Sequence, residues 1–146
     1  MAERNVFQSI SRKRVLSLNP HASVREAAGA MTRANCGSVL VIEPPESLLG
    51  IVTERDLMTR VLAKALDPEK TTVKDVMTSH PICVPPEMKV SDAVLIMLER
   101  GFRHLPIVGP DHRILGVFSV RDALPREIGG AQSLAEFNEQ INDALG

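Results

Sequence analysis

Thr53 and Asp56, and again Ser119 and Asp122, set a hydroxyl and a carboxylate three residues apart just after a short apolar run. In that pattern the two side chains satisfy the free backbone amides of a helix start, as in a capping box. The same corner suits a second chemistry. Free amides and the positive end of a helix attract phosphate oxygens, and an aspartate accepts both hydroxyls of a ribose. Cations stand nearby: Arg55 and Arg121 each precede the acid, and Arg103-His104 opens the apolar run Leu105-Pro106-Ile107. An isolated Arg or His on a small domain is ordinarily solvated surface or a satisfied donor. Recurrence beside a ribose-type acid makes these residues candidates for a phosphate site.

Both corners belong to a longer duplicated signature, Leu49-Gly50-Ile51-Val52-Thr53-Glu54-Arg55-Asp56 and Leu115-Gly116-Val117-Phe118-Ser119-Val120-Arg121-Asp122, at an offset of 66 positions. The offset also pairs Pro20 with Pro86, Val24 with Val90, Ala27 with Ala93, Met31 with Met97 and Pro44 with Pro110. One unit is written twice. A repeat of about 50–60 residues buries too little surface to be comfortably stable alone, so the two are expected to fold together and to leave a cleft between them.

The elements that must carry the corners recur in the same order in each copy: an extended piece, a helix, two strands with a turn, and a second helix. In the first copy Val15–Leu18 reads as extended, and a helix from about Val24 has Val24, Ala27, Ala28 and Met31 on one face, with Gly37 at its exit. Strands over 38–42 and 49–52 flank a Glu43-Pro44-Pro45-Glu46 turn. The spacing of Leu57, Met58, Val61, Leu62 and Ala65 predicts a helix from Glu54 to Leu66, ended by Asp67-Pro68. In the second copy Val73–Met77 is a short amphipathic turn, 82–84 is extended before Pro85-Pro86, and Val90, Ala93, Val94, Met97 and Leu98 form a helix face closed by Gly101. Strands over 105–108 and 114–118 flank Gly109-Pro110-Asp111. Leu134, Phe137, Ile141 and Leu145 predict a terminal helix over 131–145 that docks on the domain or on a partner subunit.

Composition narrows the function. The chain has 146 residues and a formal net charge of −1, with 44% hydrophobic and 24% charged residues, so it reads as globular with no global attraction for nucleic acid or anionic membrane. Arg12-Lys13-Arg14 is short, lacks interleaved aromatics, and reads as a solvated chain entry. No apolar run reaches the roughly 20 residues of a bilayer span and no secretion signal is evident, which points to the cytoplasm. Cys36 and Cys83 lack Cys-x-x-Cys spacing and have apolar neighbours, as buried thiols do. Four histidines, His21, His80, His104 and His112, show no His-x-x-x-His or His-Glu spacing, so neither a metal site nor a metal-dependent hydrolase is expected. No nucleophile with a base, P-loop or dinucleotide-binding glycine pattern is present, and no catalytic residue is assigned.

The duplicated signature, together with Arg103-His104-Leu105-Pro106-Ile107-Val108 and the weaker Asp75-Val76-Met77-Thr78, resembles a pair of CBS (cystathionine beta-synthase type) domains over roughly residues 13–124. That resemblance implies an α+β fold of two beta-alpha-beta-beta-alpha repeats with pseudo-two-fold symmetry: repeat 1 over 13–66, a linker over 67–75, repeat 2 over 76–124 and a helical extension over 125–146. It implies a regulatory module that binds an adenine nucleotide (AMP, ATP or NAD) and acts on a client protein as a homodimer, without a catalytic cofactor. Asp56 and Asp122 would hold ribose hydroxyls, supported by Thr53 and Ser119. Ile82, Cys83 and Pro106 would wall the adenine, and Arg103, His104 and Arg121 would meet phosphates. Ser38 stands where the second repeat has His104, so the two clefts are expected to be unequal. A structural dimerisation module without a ligand is the alternative.

Overall fold

A computed structural model describes residues 3–11 and 15–145, the side chain of Leu145 excepted. Arg12-Lys13-Arg14 falls outside the described residues. The chain divides into two compact units: one of residues 15–81, and one that joins 82–145 to the amino-terminal segment.

In the 15–81 unit, helix α2 (Val24–Ala34) starts where Ser23 Oγ accepts the Glu26 amide (3.0 Å). It ends one turn ahead of Gly37, because Asn35 takes the left-handed conformation (φ 52) and its amide reaches the Met31 and Thr32 carbonyls. Strands β2 (Ser38–Glu43) and β3 (Ser47–Thr53) pair antiparallel around the Pro44-Pro45 turn, with Leu40 opposite Ile51. Strand β1 (Ser17–Leu18) adds parallel to β2 and β4 (Thr78–Ser79) antiparallel to β3, giving the order β1-β2-β3-β4. Helix α4 (Val73–Val76) puts Val73 and Val76 into a core with Val24, Ala27, Met31, Val39, Val41, Val52 and Val61. Gly50 permits the close approach of β4, since a Cβ there would lie 2.5 Å from Met77 Sδ and 2.7 Å from the Thr78 carbonyl.

The helix expected over 54–66 takes another form. A single turn, α3 (Glu54–Asp56), passes into a π-helical stretch over Leu57–Leu62, and a turn with Ala65 left-handed (φ 54) closes it. The wider i→i+5 turn abandons the 3.6-residue register on which the apolar stripe was drawn. Val61 alone of that stripe is buried; Met58 and Leu62 are exposed.

In the other unit, Asn5 and Gln8 form a reciprocal cap on α1 (Val6–Ser9), which drops Val6 and Ile10 into the core. Around them lie Val84, Val90, Ala93, Val94, Met97, Leu105, Ile107, Phe118 and Ala131. Helix α5 (Val90–Arg100) ends at left-handed Gly101 (φ 75). Leu98 lies at the edge of its buried face and is exposed, contrary to the sequence reading. Strands β5 (His104–Val108) and β6 (Ile114–Ser119) pair antiparallel, and Val84 bridges in parallel to Ile107 as β1 does to β2. Even the register slip repeats at the 66-residue offset, between Val41 and Ile42 and between Ile107 and Val108.

After a 3-10 turn (Val120–Asp122), helix α6 runs over Pro125–Leu145. It begins six residues earlier than the apolar spacing suggested, because Glu127 caps the Leu124 amide (2.7 Å) and proline is well tolerated in a first turn. Ala131 is buried on the unit, whereas Leu134, Phe137 and Ile141 face solvent. Among the described residues no helix is long and apolar enough to cross a membrane.

Candidate functional site: two acid corners

Each signature folds into the same hydrogen-bonded corner. The Thr53 amide donates to Asp56 Oδ2 and the Ser119 amide to Asp122 Oδ2, both at 2.9 Å. In return Thr53 Oγ1 accepts the Asp56 amide (3.2 Å), and Ser119 Oγ accepts the Arg121 amide (3.3 Å). The residue just before the paired strand, β2 or β5, helps in both copies, through Glu54 N to the Gly37 carbonyl (3.0 Å) and Val120 N to the Arg103 carbonyl (3.3 Å). The corners are therefore capping boxes, in which the cap engages Oδ2 of each carboxylate.

Their surroundings differ. Asp56 is 8% exposed, and its Oδ1 faces Arg60 Nε at 3.6 Å. Arg60 Nη1 in turn donates to the carbonyls of Val76 (2.9 Å) and Met77 (3.1 Å), tying the corner to the start of β4. Asp122 is half-buried. Its carbonyl accepts Arg4 Nη2 (3.0 Å), and the Arg4 guanidinium also grips Glu127 through Nη2–Oε1 (2.7 Å) and Nε–Oε2 (3.2 Å). The hydrogen bond from Arg4 holds the Glu127 carboxyl below its ordinary value, and Glu127 raises Arg4 reciprocally.

The sequence-derived residues divide between the two units. Ser38, Thr53, Arg55 and Asp56 lie in the 15–81 unit, where buried Ser38 sits opposite Thr53 across the β2–β3 ladder and Arg55 points to solvent. Ile82, Cys83, Arg103, His104, Pro106, Ser119, Arg121 and Asp122 lie in the other. There His104 sits opposite Ser119, as Ser38 does opposite Thr53. Val84 hydrogen-bonds across to the Pro106 carbonyl (2.9 Å), so the 82–84 segment runs beside the buried proline, with Arg103 and Arg121 exposed at the rim.

Cys83 departs from expectation. It is exposed rather than buried, because the segment lies along the outside of β5, although partial desolvation still pushes its thiol pKa up; Cys36 is half-buried. Among the described residues neither cysteine is in a disulfide, and no group of three or more His, Cys, Asp or Glu is arranged to hold a metal ion. Arg4, Glu127 and Arg60 were not singled out from sequence. The Leu124-x-x-Glu127 and Asn5-x-x-Gln8 spacings carry a capping signal for two of the elements concerned, but nothing in the sequence joins Arg4 to Glu127.

A family profile described as CBS domain matches residues 7–63 and again 73–127. The chain belongs to the CBS-domain family. The tandem CBS arrangement recurs in solved structures. A CBS domain protein from Pyrobaculum aerophilum, solved in complex with AMP, is 26% identical, covers 85% of this chain and 94% of its own, and superposes with a TM-score of 0.75. A hexameric CBS-CP12 protein from bloom-forming cyanobacteria is 25% identical, with 84% and 70% covered and a TM-score of 0.76. Among curated relatives, an uncharacterized protein of Methanopyrus kandleri is 31% identical over 118 residues, which are 81% of this chain. The CBS pair spans 60% of that relative's length.

Proposed function

We propose that this CBS pair is a regulatory, non-catalytic module of the cytoplasm that binds an adenine nucleotide of the AMP, ATP or NAD type and passes its occupancy to a partner protein. The observation that carries the reading is the duplicated corner, in which a carboxylate has one oxygen on a main-chain amide and stands at a helix start in both copies. Ribose hydroxyls donate to Asp56 or Asp122, with Thr53 and Ser119 holding each turn in shape. Pro106 and the Ile82-Cys83 segment form the apolar side that an adenine ring requires, and Arg103, His104 and Arg121 meet phosphate. In the first copy Ser38 and Arg55 take the corresponding places, with less positive charge, so the two corners differ in affinity. The AMP complex of the P. aerophilum relative supports the ligand class. Homodimerisation is part of the reading, supported by the hexameric relative and by the exposed apolar stripe of α6.

Mass spectrometry of small molecules released from gently purified protein tests the reading without choosing the nucleotide beforehand. An adenine nucleotide in the released fraction, with saturable rebinding of AMP, ATP or NAD, is the expected result. No adenine compound released, and none that binds at millimolar concentration, would overturn it and leave a structural dimerisation module.

A further inference from the structure

The amino-terminal segment is pinned before it reaches the second corner. The Val90 amide donates to the Arg4 carbonyl (3.0 Å), the Val6 amide donates to the Met88 carbonyl (2.8 Å), and Val6 is fully buried. With its backbone fixed there, Arg4 reaches across more than a hundred residues of sequence to the stretch 122–127, where the chain leaves the 3-10 turn and enters α6. One guanidinium takes the Asp122 carbonyl and both oxygens of Glu127, and Glu127 Oε1 also accepts the Leu124 amide at 2.7 Å. The peptide that carries the Asp122 carboxylate is thereby held from both sides, by Ser119 through the side chain and by Arg4 through the carbonyl.

The first repeat meets the same need differently. Arg60, four residues after its acid, anchors that corner from within the following helix. The position 66 residues on is Arg126, which is exposed, and buried Val61 is replaced by Glu127. In the second repeat the anchoring role falls to Arg4, a residue more than a hundred positions earlier in the sequence. Bidentate Arg–carboxylate pairs are geometrically specific, so the orientation of this corner depends on the guanidinium fork and not on charge alone.

We propose that Arg4 and Glu127 are positioning residues for the ligand site at Asp122, which makes the amino-terminal segment part of that site. The inference rests on the reading that a ribose meets Asp122. Binding there draws the clasp tighter, and loosening the clasp weakens the ligand, so anything that pulls residues 3–10 away lowers the affinity of the corner.

The test uses the full chain with AMP as the probe, by calorimetry at a temperature well below unfolding. Arg4→Ala and Glu127→Gln are each expected to weaken AMP by about three- to tenfold, on the order of one lost hydrogen bond, while Arg4→Lys, which keeps the charge but not the fork, recovers only part. Hydrogen exchange at 3–10 and 122–130 is expected to slow on adding AMP to the wild type and not to Arg4→Ala. A purely structural clasp lowers the unfolding temperature but leaves the AMP dissociation constant and this exchange difference unchanged, and that result overturns the inference. Should Arg4→Ala fail to fold, Arg4→Lys and Glu127→Gln decide by the same readouts. Wild-type protein that takes none of AMP, ATP and NAD overturns the ligand reading and this inference with it, and whichever of the three binds serves as the probe; wild-type binding matched by every variant overturns this inference alone.

Discussion

Asp122→Asn separates the two roles that the corner combines. The asparagine keeps an oxygen for the Ser119 amide, now 2.9 Å from Asp122 Oδ2, but loses the negative charge that a ribose diol would donate to. Loss of a cap costs about 1 kcal/mol when the side chain is removed altogether, so the conservative change should lower stability without ligand by no more than that. Hydrogen bonds to a charged group contribute about 1.5–3 kcal/mol, which raises the AMP dissociation constant by about 10- to 150-fold if one such bond is lost. At AMP near 100 times the wild-type dissociation constant, the ligand stabilises the wild type by about 2.7 kcal/mol and the variant by about 0.3–1.4 kcal/mol. In a thermal-unfolding scan of a chain this size those values become shifts of about 5–11 °C against about 1–6 °C. Asp56→Asn is scanned in parallel, since the nucleotide could occupy the first corner. Equal AMP-induced shifts in the wild type and both variants would refute the assignment of the acids to the ribose.

Three further outcomes follow from the packing and the charges. Because Arg4 depresses the Glu127 carboxyl, the clasp stabilises fully above the ordinary carboxylate range and is lost as pH falls through the lowered value. The stability gap between wild type and Glu127→Gln in urea unfolding should therefore be widest near neutrality and close in acid; a gap indifferent to pH would contradict this. Val6→Ala removes two buried methyl groups from a fully enclosed position and should cost about 2 kcal/mol, seen as a lower urea midpoint, and a loss under about 0.5 kcal/mol would mean that the amino-terminal segment is not packed in the core. Phe137→Glu, on the exposed stripe of α6, should shift sedimentation toward the monomer while changing the unfolding free energy of the subunit by about 0.5 kcal/mol or less; an unchanged sedimentation coefficient would exclude α6 from the contact.

The duplicated strands and their corners could be read from sequence because their determinants are local. The short continuous apolar run over 39–42, the Thr53/Asp56 and Ser119/Asp122 spacing, and glycine or proline at each turn specify those pieces without reference to distant residues. What could not be read depends on long-range partners. The stretch after Asp56 has a sound helical stripe in Leu57, Met58, Val61 and Leu62, yet Arg60 is held by carbonyls at 76 and 77 and the helix widens into a π form. Cys83 has apolar neighbours in sequence, but its extended segment lies along the outside of β5, and sequence adjacency carries no information about that. Arg4 looks like any surface cation until residue 127 is folded beside it.

That residues 3–10 belong with 82–145, and not with the segment that directly follows them, sets an order on the birth of the molecule. A ribosome adding about 5–20 residues per second needs about 4–16 s to travel from residue 10 to residue 90. When residue 90 is added, Val6 and Ile10 still lack Leu105, Ile107 and Phe118 of their core, whereas the contiguous stretch from 15 to 81 holds all four strands of its own sheet. Residues 3–10 thus wait for their core, and the 15–81 unit is synthesised in full before the unit that seats Val6 and Ile10 can form.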